Sequence, residues 1–166
     1  MANIGKINEI LETMGQISPS GFAIAFHIRL TAPDFLFQTY PKKWIDIYSE
    51  KGYVMVDPIV RWGFANNGAI RWSELGDLDD QNIIEQSLAY DMAYGVAIAT
   101  ETDGSRSVAG FAHPEREFTD TEIDALKQHV QDLHVLTASK DGMADNVRAE
   151  LQSLSVKMTH NPTPKG

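Results

Sequence analysis

The chain has 166 residues, of which 43% are hydrophobic, so it is long and apolar enough to bury the core of one compact domain. Its 23 acidic residues outnumber its 14 basic ones, and the resulting net charge of −9 disfavours DNA, RNA and anionic membrane surfaces as partners. The sequence has no cysteine, no long apolar run and no export signal, which excludes disulfides and thiolate metal sites and predicts a cytoplasmic location.

The chain begins with a predicted helix followed by two strands. Apolar residues recur at helical spacing up to Met14, and the pattern stops at residues 18–21, which are rich in serine, proline and glycine. Residues 21–30 then place large apolar side chains at alternate positions, which is typical of a strand with one buried face. Residues 35–40 are the predicted partner strand.

Three helices are predicted in the middle of the chain. Pro41 suits the start of a helix over residues 42–51. Asp57 suits the N-cap of a second helix, which begins at Pro58 and ends at residues 66–68. The third runs to Met92, and either Asp79 or Asp80 supplies its cap.

The second half predicts a hairpin and a long helix. Residues 95–100 and 107–112 are strands joined across the turn pair Asp103-Gly104. A capping-box pattern starts at Thr119, and apolar residues follow at helical spacing as far as residue 136. This order predicts an α+β fold, an α-β-α sandwich of the PAS or GAF type whose central antiparallel sheet can enclose a cavity beneath the helices.

Sequence motifs of catalysis are missing. The chain has no G-x-S-x-G elbow, no P-loop, no G-x-G-x-x-G and no H-E-x-x-H. His129 and His134 lie five residues apart on one predicted helix, a spacing that does not bring both rings to one metal ion. We therefore expect no enzyme, no catalytic residue, no metal site and no cofactor.

Rare residue types are concentrated between residues 40 and 72. The pattern Y-P-x-x-W-x-x-x-Y runs from Tyr40 to Tyr48, Asp57 follows nine residues later, and W-x-E-L begins at Trp72, a further fifteen residues on. This pattern resembles the autoinducer-binding domain of LuxR-type quorum-sensing regulators. Residues 91–99 resemble that family's G-L-x-x-G-V-T-x-P segment, although of its two glycines only the second, Gly95, is kept. The likeness covers about residues 7–136.

The resemblance implies a pocket that binds an N-acyl homoserine lactone. Trp44 would donate its indole N–H to the lactone carbonyl, and Asp57 would accept the amide N–H, tasks that suit a donor-only and an acceptor-only side chain. Tyr48 would face the amide carbonyl, Tyr40 would reach the acyl chain near its third carbon, and Trp72 would wall the lactone ring. Taken alone, Asp57 is more typical of a helix N-cap, and Trp44 with Tyr48 is more typical of core packing.

The last strand departs from the family pattern. Family members often carry serine or threonine there, facing the ligand, whereas this chain has Gly110, with a slip of one residue left open. Ala109 and Gly110 would enlarge the cavity beside the sheet, and Phe111 could fill it again. The sequence does not decide between these outcomes.

We expect a ligand-sensing, autoinducer-binding domain over residues 1–156 and a flexible tail over residues 157–166. The family would continue into a helix-turn-helix, so the sequence is either an excised domain or a solitary sensor. As a sensor of a transcriptional regulator it would bind a small-molecule lactone, form a homodimer, and contact neither membrane nor, by itself, DNA. Alternatively it binds another amphipathic signal, or antagonises a full-length regulator by forming mixed dimers.

Overall fold

A computed structural model describes residues 4–29 and 32–138 of the chain. Within those residues the order of helices and strands is α1 (Ile4–Ile17), β1 (Phe22–Arg29), β2 (Ala32–Gln38), α2 (Lys42–Glu50), α3 (Pro58–Ala65), β3 (Gly68–Arg71), α4 (Ile83–Ser87), β4 (Tyr94–Thr102), β5 (Ser105–His113) and α5 (Asp120–Leu136). None of the helices in this part of the chain is long and apolar enough to cross a bilayer. The predicted tail over residues 157–166 lies outside the described residues.

The strands form one antiparallel sheet in the order β2-β1-β5-β4-β3. Helices cover both faces, α1 and α5 on one side and α2 and α3 on the other. The predicted α+β sandwich with a central antiparallel sheet is therefore confirmed. Asp103 and Gly104 form the β4–β5 turn with φ angles of 53° and 81°, as the sequence predicted.

The face of the sheet that packs against α1 and α5 carries large apolar side chains, and we call it the core face. Strand residues buried there are Phe22, Ile24, Phe26, Phe35, Phe37, Val96, Ile98, Ala109 and Phe111. They meet apolar residues of both helices, including Met14 and Leu126, each of which is fully buried. This packing supplies most of the apolar burial that the sandwich needs.

The register of β5 decides which side chains face the other way. Gly110 pairs with Ala97 of β4 and with Ala23 of β1, so the slip that the sequence left open does not occur. Ala109 and Phe111 point to the core face instead. The expectations that Ala109 enlarges the cavity and that Phe111 fills it are therefore wrong, because neighbouring strand residues alternate between faces.

Three local features differ from the prediction. Strand β3 was not predicted, because only four half-buried residues form it and their pairing partner, β4, lies far along the chain. Strand β2 begins at Ala32, three residues earlier than expected. Helix α4 ends at Ser87 and continues as a 3₁₀ turn, and it is Asp79 whose carboxylate accepts hydrogen bonds from the first backbone N–H groups of the helix.

The long helix α5 is fixed at both ends. At its start, Thr119 and Glu122 form the predicted capping box. Near its end, His134 is 2% exposed and its Nδ1 lies 2.7 Å from the Ser107 hydroxyl, while the His27 and His134 rings stack at 4.4 Å. Burial, together with the neighbouring His27, lowers the pKa of His134 to about 4. The ring is therefore neutral at pH 7.

Candidate functional site

We call the face of the sheet opposite the core face the open face, and small residues line its central part. Gly110, Ala23 and Ala97 form one row across three strands, because residues paired across strands point to the same side. The next row holds Gly95 and Ala112. The space that these residues leave next to the sheet is filled by aromatic side chains from α2, α3 and the connecting segments.

Trp72 lies directly on Gly95. A Cβ atom at position 95 would be 2.1 Å from the Trp72 Cδ2 atom and 2.3 Å from Cε2, distances that real contacts do not reach. The backbone of Gly95 is ordinary strand, so glycine is needed there for close approach and not for conformation. Trp72 is 3% exposed as a result.

Gly110 receives the hydroxyl group of Tyr40 in the same way. A Cβ atom at position 110 would lie 2.7 Å from the Tyr40 Oη atom and 3.6 Å from Trp72 Cζ2. The Tyr40 and Trp72 rings pack edge to face at 6.5 Å. Burial, with a smaller contribution from Asp57, raises the pKa of Tyr40 well above its usual value. Its phenol therefore keeps its proton and can donate a hydrogen bond.

Asp57 is both the N-cap of α3 and part of this cluster. Its Oδ1 accepts a hydrogen bond from the Ile59 backbone N–H at 2.8 Å, and its Oδ2 accepts one from the Tyr48 hydroxyl at 2.6 Å. The carboxyl is 6% exposed, and burial raises its pKa to about 6 in spite of those two hydrogen bonds, which act to lower it. At pH 7 the group is a mostly ionised, buried acceptor.

Trp44 occupies the buried side of α2 and is 4% exposed. Its ring packs against Tyr48 at 6.2 Å, Tyr53 at 6.1 Å and Tyr90 at 5.5 Å. The sequence analysis missed Tyr53 and Tyr90, since neither lies at a spacing that joins it to the other site residues. They extend the aromatic cluster around Trp44.

The structure brings all seven predicted site residues together on the open face: Tyr40, Trp44, Tyr48, Asp57, Trp72, Gly95 and Gly110. Two surface grooves, of about 400 and 590 Å³, lie elsewhere and include none of the seven. No cluster of three metal-binding side chains occurs in residues 4–29 and 32–138. The chemistry gathered here is one buried carboxylate acceptor among aromatic donors, which suits an uncharged amphipathic molecule with both carbonyl and N–H groups.

Trp72 holds a donor that is both buried and unpaired. The Trp72 indole Nε1 is buried, and no group in the described part of the chain accepts a hydrogen bond from it. The Tyr48 proton, by contrast, is committed to Asp57. Sequence spacing carried no signal for either fact, because both depend on how the side chains pack.

The chain is similar to known proteins in sequence and in structure. The family model described as the autoinducer binding domain matches residues 12–139. The transcriptional activator YukR of Yersinia ruckeri is 34% identical over 65 residues, which are 37% of this chain and 28% of that protein. The transcriptional activator LuxR of Aliivibrio fischeri is 26% identical over 99 residues, 57% of this chain and 38% of that protein. The matches thus span well under half the length of these relatives.

Two solved structures share the fold. CepR2 from Burkholderia cenocepacia, described as an N-acylhomoserine lactone-dependent LuxR family transcription factor, has a TM-score of 0.59 and 17% identity, covering 78% of this chain and 80% of that one. SdiA in complex with octanoyl-rac-glycerol has a TM-score of 0.59 and 15% identity, covering 98% of this chain and 77% of that one. At such low identity the likeness shows the fold alone.

Proposed function

The chain belongs to the autoinducer-binding domain family, and on that premise we propose that it binds an N-acyl homoserine lactone as the sensor domain of a quorum-sensing transcriptional regulator. The family senses signals and is not enzymatic. The observation that carries the proposal is the buried carboxylate of Asp57, held by Tyr48 among aromatic donors over a sheet face of small residues. A lactone head group with an amide matches that set of groups.

Asp57 would accept the amide N–H and Trp44 would donate to the lactone carbonyl. Each carboxylate oxygen has two lone-pair positions, and each oxygen of Asp57 accepts one of the two hydrogen bonds described above, so acceptor capacity remains for a ligand. Because the carboxyl is mostly ionised at pH 7, a hydrogen bond to it is charge-assisted and stronger than a neutral one.

The two tyrosines would have different tasks. Tyr48 has one proton and donates it to Asp57, so its task is to orient the carboxylate. The amide carbonyl then needs another donor, and the buried, protonated hydroxyl of Tyr40 supplies one. Trp72 and Gly95 would line the ligand pocket on the side nearest the sheet, and Gly110 would leave room for the ligand.

The acyl tail would be held by apolar surface alone. Each methylene removed from water contributes about 0.8 kcal/mol, so tail length should change affinity severalfold per carbon. The same proposal includes transcriptional control, a homodimer and a cytoplasmic location. Transcriptional control is proposed because the relatives that match in sequence are transcriptional activators. The net charge of −9 would leave DNA contact to other parts of such a regulator.

A second candidate ligand is an acyl glycerol. SdiA, which shares the fold at 15% identity, was solved with octanoyl-rac-glycerol. An acyl glycerol has an ester carbonyl and hydroxyl groups but no amide N–H, so it would use Asp57 through a hydroxyl donor.

The test is thermal unfolding of the protein with lactones of varied tail length and with octanoyl glycerol. A ligand that binds only the folded state should add about 2.7 kcal/mol at 100 times its dissociation constant. Asp57→Asn keeps a side chain that can cap α3 but loses the charge, so lactone affinity should fall roughly tenfold to a hundredfold. Asp79→Asn, at the start of α4, is the matched control and should bind normally. Stabilisation by the glycerol alone would replace the lactone with the second candidate.

A further inference from the structure

Four polar side chains form a cluster that the proposed function does not use: His27, Ser105, Ser107 and His134. The side chains of His27, Ser107 and His134 are almost fully buried, whereas Ser105, beside the β4–β5 turn, is half-buried. Hydrogen bonds join the cluster across β1, β5 and the last turn of α5. Burying several polar groups is costly unless they pair with one another, so the arrangement of this cluster is specified by the fold.

The backbone of β1 is distorted where it contributes His27 to the cluster. The register between β1 and β5 shifts between Ala25 and Ile28, which marks a β-bulge. His27 has a φ of 53°, in the left-handed region that residues other than glycine rarely adopt, and its backbone N–H donates to the Ser107 Oγ at 3.1 Å. Bulges and strained residues of this kind redirect side chains and are found most often beside functional sites.

The hydrogen bonds of His27 determine which of its ring nitrogens carries the proton. Nε2 lies 2.7 Å from the His134 carbonyl oxygen, which can only accept, so Nε2 is the donor. In the neutral ring Nδ1 is then an acceptor, and the Ser105 hydroxyl, 2.5 Å away, donates to it. A serine hydroxyl, an imidazole that can take its proton and a third group that orients the imidazole are the parts of an activated nucleophile.

The last turn of α5 supports the same chemistry. His134 lies where the helix ends, and carbonyl groups there lack the N–H partners of a continuing helix. The end of a helix carries partial negative charge, which favours a cation next to it. If His27 takes up the Ser105 proton, the His134 carbonyl therefore stabilises the resulting imidazolium, a task that a carboxylate performs in Ser-His-Asp triads.

We propose that Ser105 is a site of covalent acylation by activated acyl esters and thioesters, with His27 as its general base. The Ser105 Oγ forms a bond to the acyl carbonyl carbon while its proton passes to His27 Nδ1. The bond from that carbon to the leaving oxygen or sulfur breaks, and His27 returns the proton to the leaving group. A neutral alcohol or thiol departs, and a serine ester remains on the chain.

The probe for this reaction is 4-nitrophenyl acetate, a small activated ester. Peptide mass mapping of the treated, folded chain should locate an acetyl group on Ser105, and Ser105→Ala should remove that product. His27→Asn keeps a residue that tolerates a positive φ but supplies no base, so acetylation of Ser105 should slow by about a hundredfold or more. Ser49, an exposed serine on α2, is the internal control and should stay unmodified.

A thiol at the same position gives a test that does not depend on ester chemistry. Because the chain has no cysteine, Ser105→Cys and Ser49→Cys each introduce a single thiol. A thiol that can pass its proton to a histidine is more often ionised, and the thiolate is the reactive form. Alkylation by iodoacetamide at pH 7 should be about tenfold faster in Ser105→Cys than in Ser49→Cys, and His27→Asn should abolish that advantage.

The outcomes decide the inference whether or not the chain binds a lactone, because this cluster shares no residue with the aromatic site. Urea unfolding of each variant gives its folded fraction, and rates are compared at equal concentrations of folded protein. Acetyl groups on lysine but not on Ser105 would overturn the inference. Equal acetylation of Ser105 with and without His27, or equal alkylation of the two thiols, would overturn it as well.

Discussion

The same strands present large side chains on one face of the sheet and mainly small ones on the other. In β4, Val96 and Ile98 point to the core face, while Gly95, Ala97 and Ala99 point to the open face. The core face is filled by its own large side chains against α1 and α5. The open face has glycine and alanine at its central positions in β1, β4 and β5, with Val108 and Ile70 as larger side chains beside them, and Trp72 and Tyr40 lie on the two glycines.

This difference indicates that the core face mainly determines stability and that the open face also determines ligand binding. A face filled by strand residues is closed to a ligand, and every atom removed from it leaves a cavity. Where a sheet face consists of glycine and alanine, side chains from other elements fill the space above it. Those side chains could also contact a ligand. We therefore expect changes on the core face to alter the free energy of unfolding alone, and changes on the open face to alter ligand affinity as well.

The largest expected effect comes from Phe111→Ala on the core face. Phe111 is fully buried and packs against Phe22 at 5.8 Å. Loss of a buried phenylalanine costs about 3–5 kcal/mol. Urea unfolding should show this loss, whereas the lactone affinity of the fraction that remains folded should be unchanged. A large fall in affinity would mean that the two faces are not independent.

Gly95→Ala on the open face should cost less stability but more function. The new Cβ would collide with the Trp72 ring, and we expect a loss of about 1–3 kcal/mol in the free energy of unfolding together with loss of measurable lactone binding. Gly110→Ala should be milder, because the atom in its way, the Tyr40 hydroxyl, ends a side chain that can rotate. Calorimetry and urea unfolding of both variants test this order.

A glycine from another part of the fold provides the control. Gly15 in α1 has open space around its Cβ position, so Gly15→Ala should stabilise the chain by about 0.5–1 kcal/mol through helix propensity and leave binding intact. If Gly95→Ala behaved like Gly15→Ala, the tight contact between Trp72 and the sheet would be refuted.

The sequence predicted features that depend on near neighbours. The capping box at Thr119, the cap at Asp57 and the Asp103-Gly104 turn all depend on residues within a few positions, and each was found as predicted. The alternation of small and large residues over positions 94–99 was also present in the sequence and could have identified the open face. Strand β3 was missed because its existence depends on pairing with β4, nearly thirty positions away.

For the site, the sequence predicted which residues take part but not which hydrogen bonds they form. The family pattern located Tyr40, Trp44, Tyr48, Asp57 and Trp72, and the fold gathers them in one cluster. The pattern did not reveal that Tyr48 gives its proton to Asp57 or that the Trp72 N–H has no acceptor. Hydrogen-bond partners depend on side-chain rotamers and register, which spacing along a chain does not encode.

The two faces should also respond to acid in opposite directions. On the open face, burial raises the pKa of Asp57 from 3.8 to about 6, so between those values the folded state binds the proton more tightly and acidification stabilises it. On the core side, the pKa of His134 is lowered from 6.5 to about 4, so over that range the unfolded state is protonated first and acidification destabilises the fold.

Variants separate these two contributions, which partly cancel in the wild type. Between pH 7 and 5, Asp57→Asn should lose roughly 1–2 kcal/mol more stability than the wild type, and His134→Gln should lose less than the wild type. Urea unfolding at both pH values measures the difference. Lactone affinity of the wild type should fall below about pH 6 as Asp57 gains its proton, and equal affinity at pH 7 and 5 would contradict the assigned role of that carboxylate.

A change at a helix cap tests how far ligand binding on the open face is independent of the rest of the fold. Thr119 caps α5 on the core side, where its hydroxyl accepts the Glu122 backbone N–H at 3.1 Å. Thr119→Ala should cost about 1 kcal/mol of stability, the usual value of a helix cap, and Thr119→Ser should restore it. Because α5 packs on the core face of the sheet, the affinity for octanoyl homoserine lactone should stay that of the wild type. A changed affinity in Thr119→Ala would show that α5 is coupled through the sheet to the open face, and the contrast between the faces would then be one of packing but not of function.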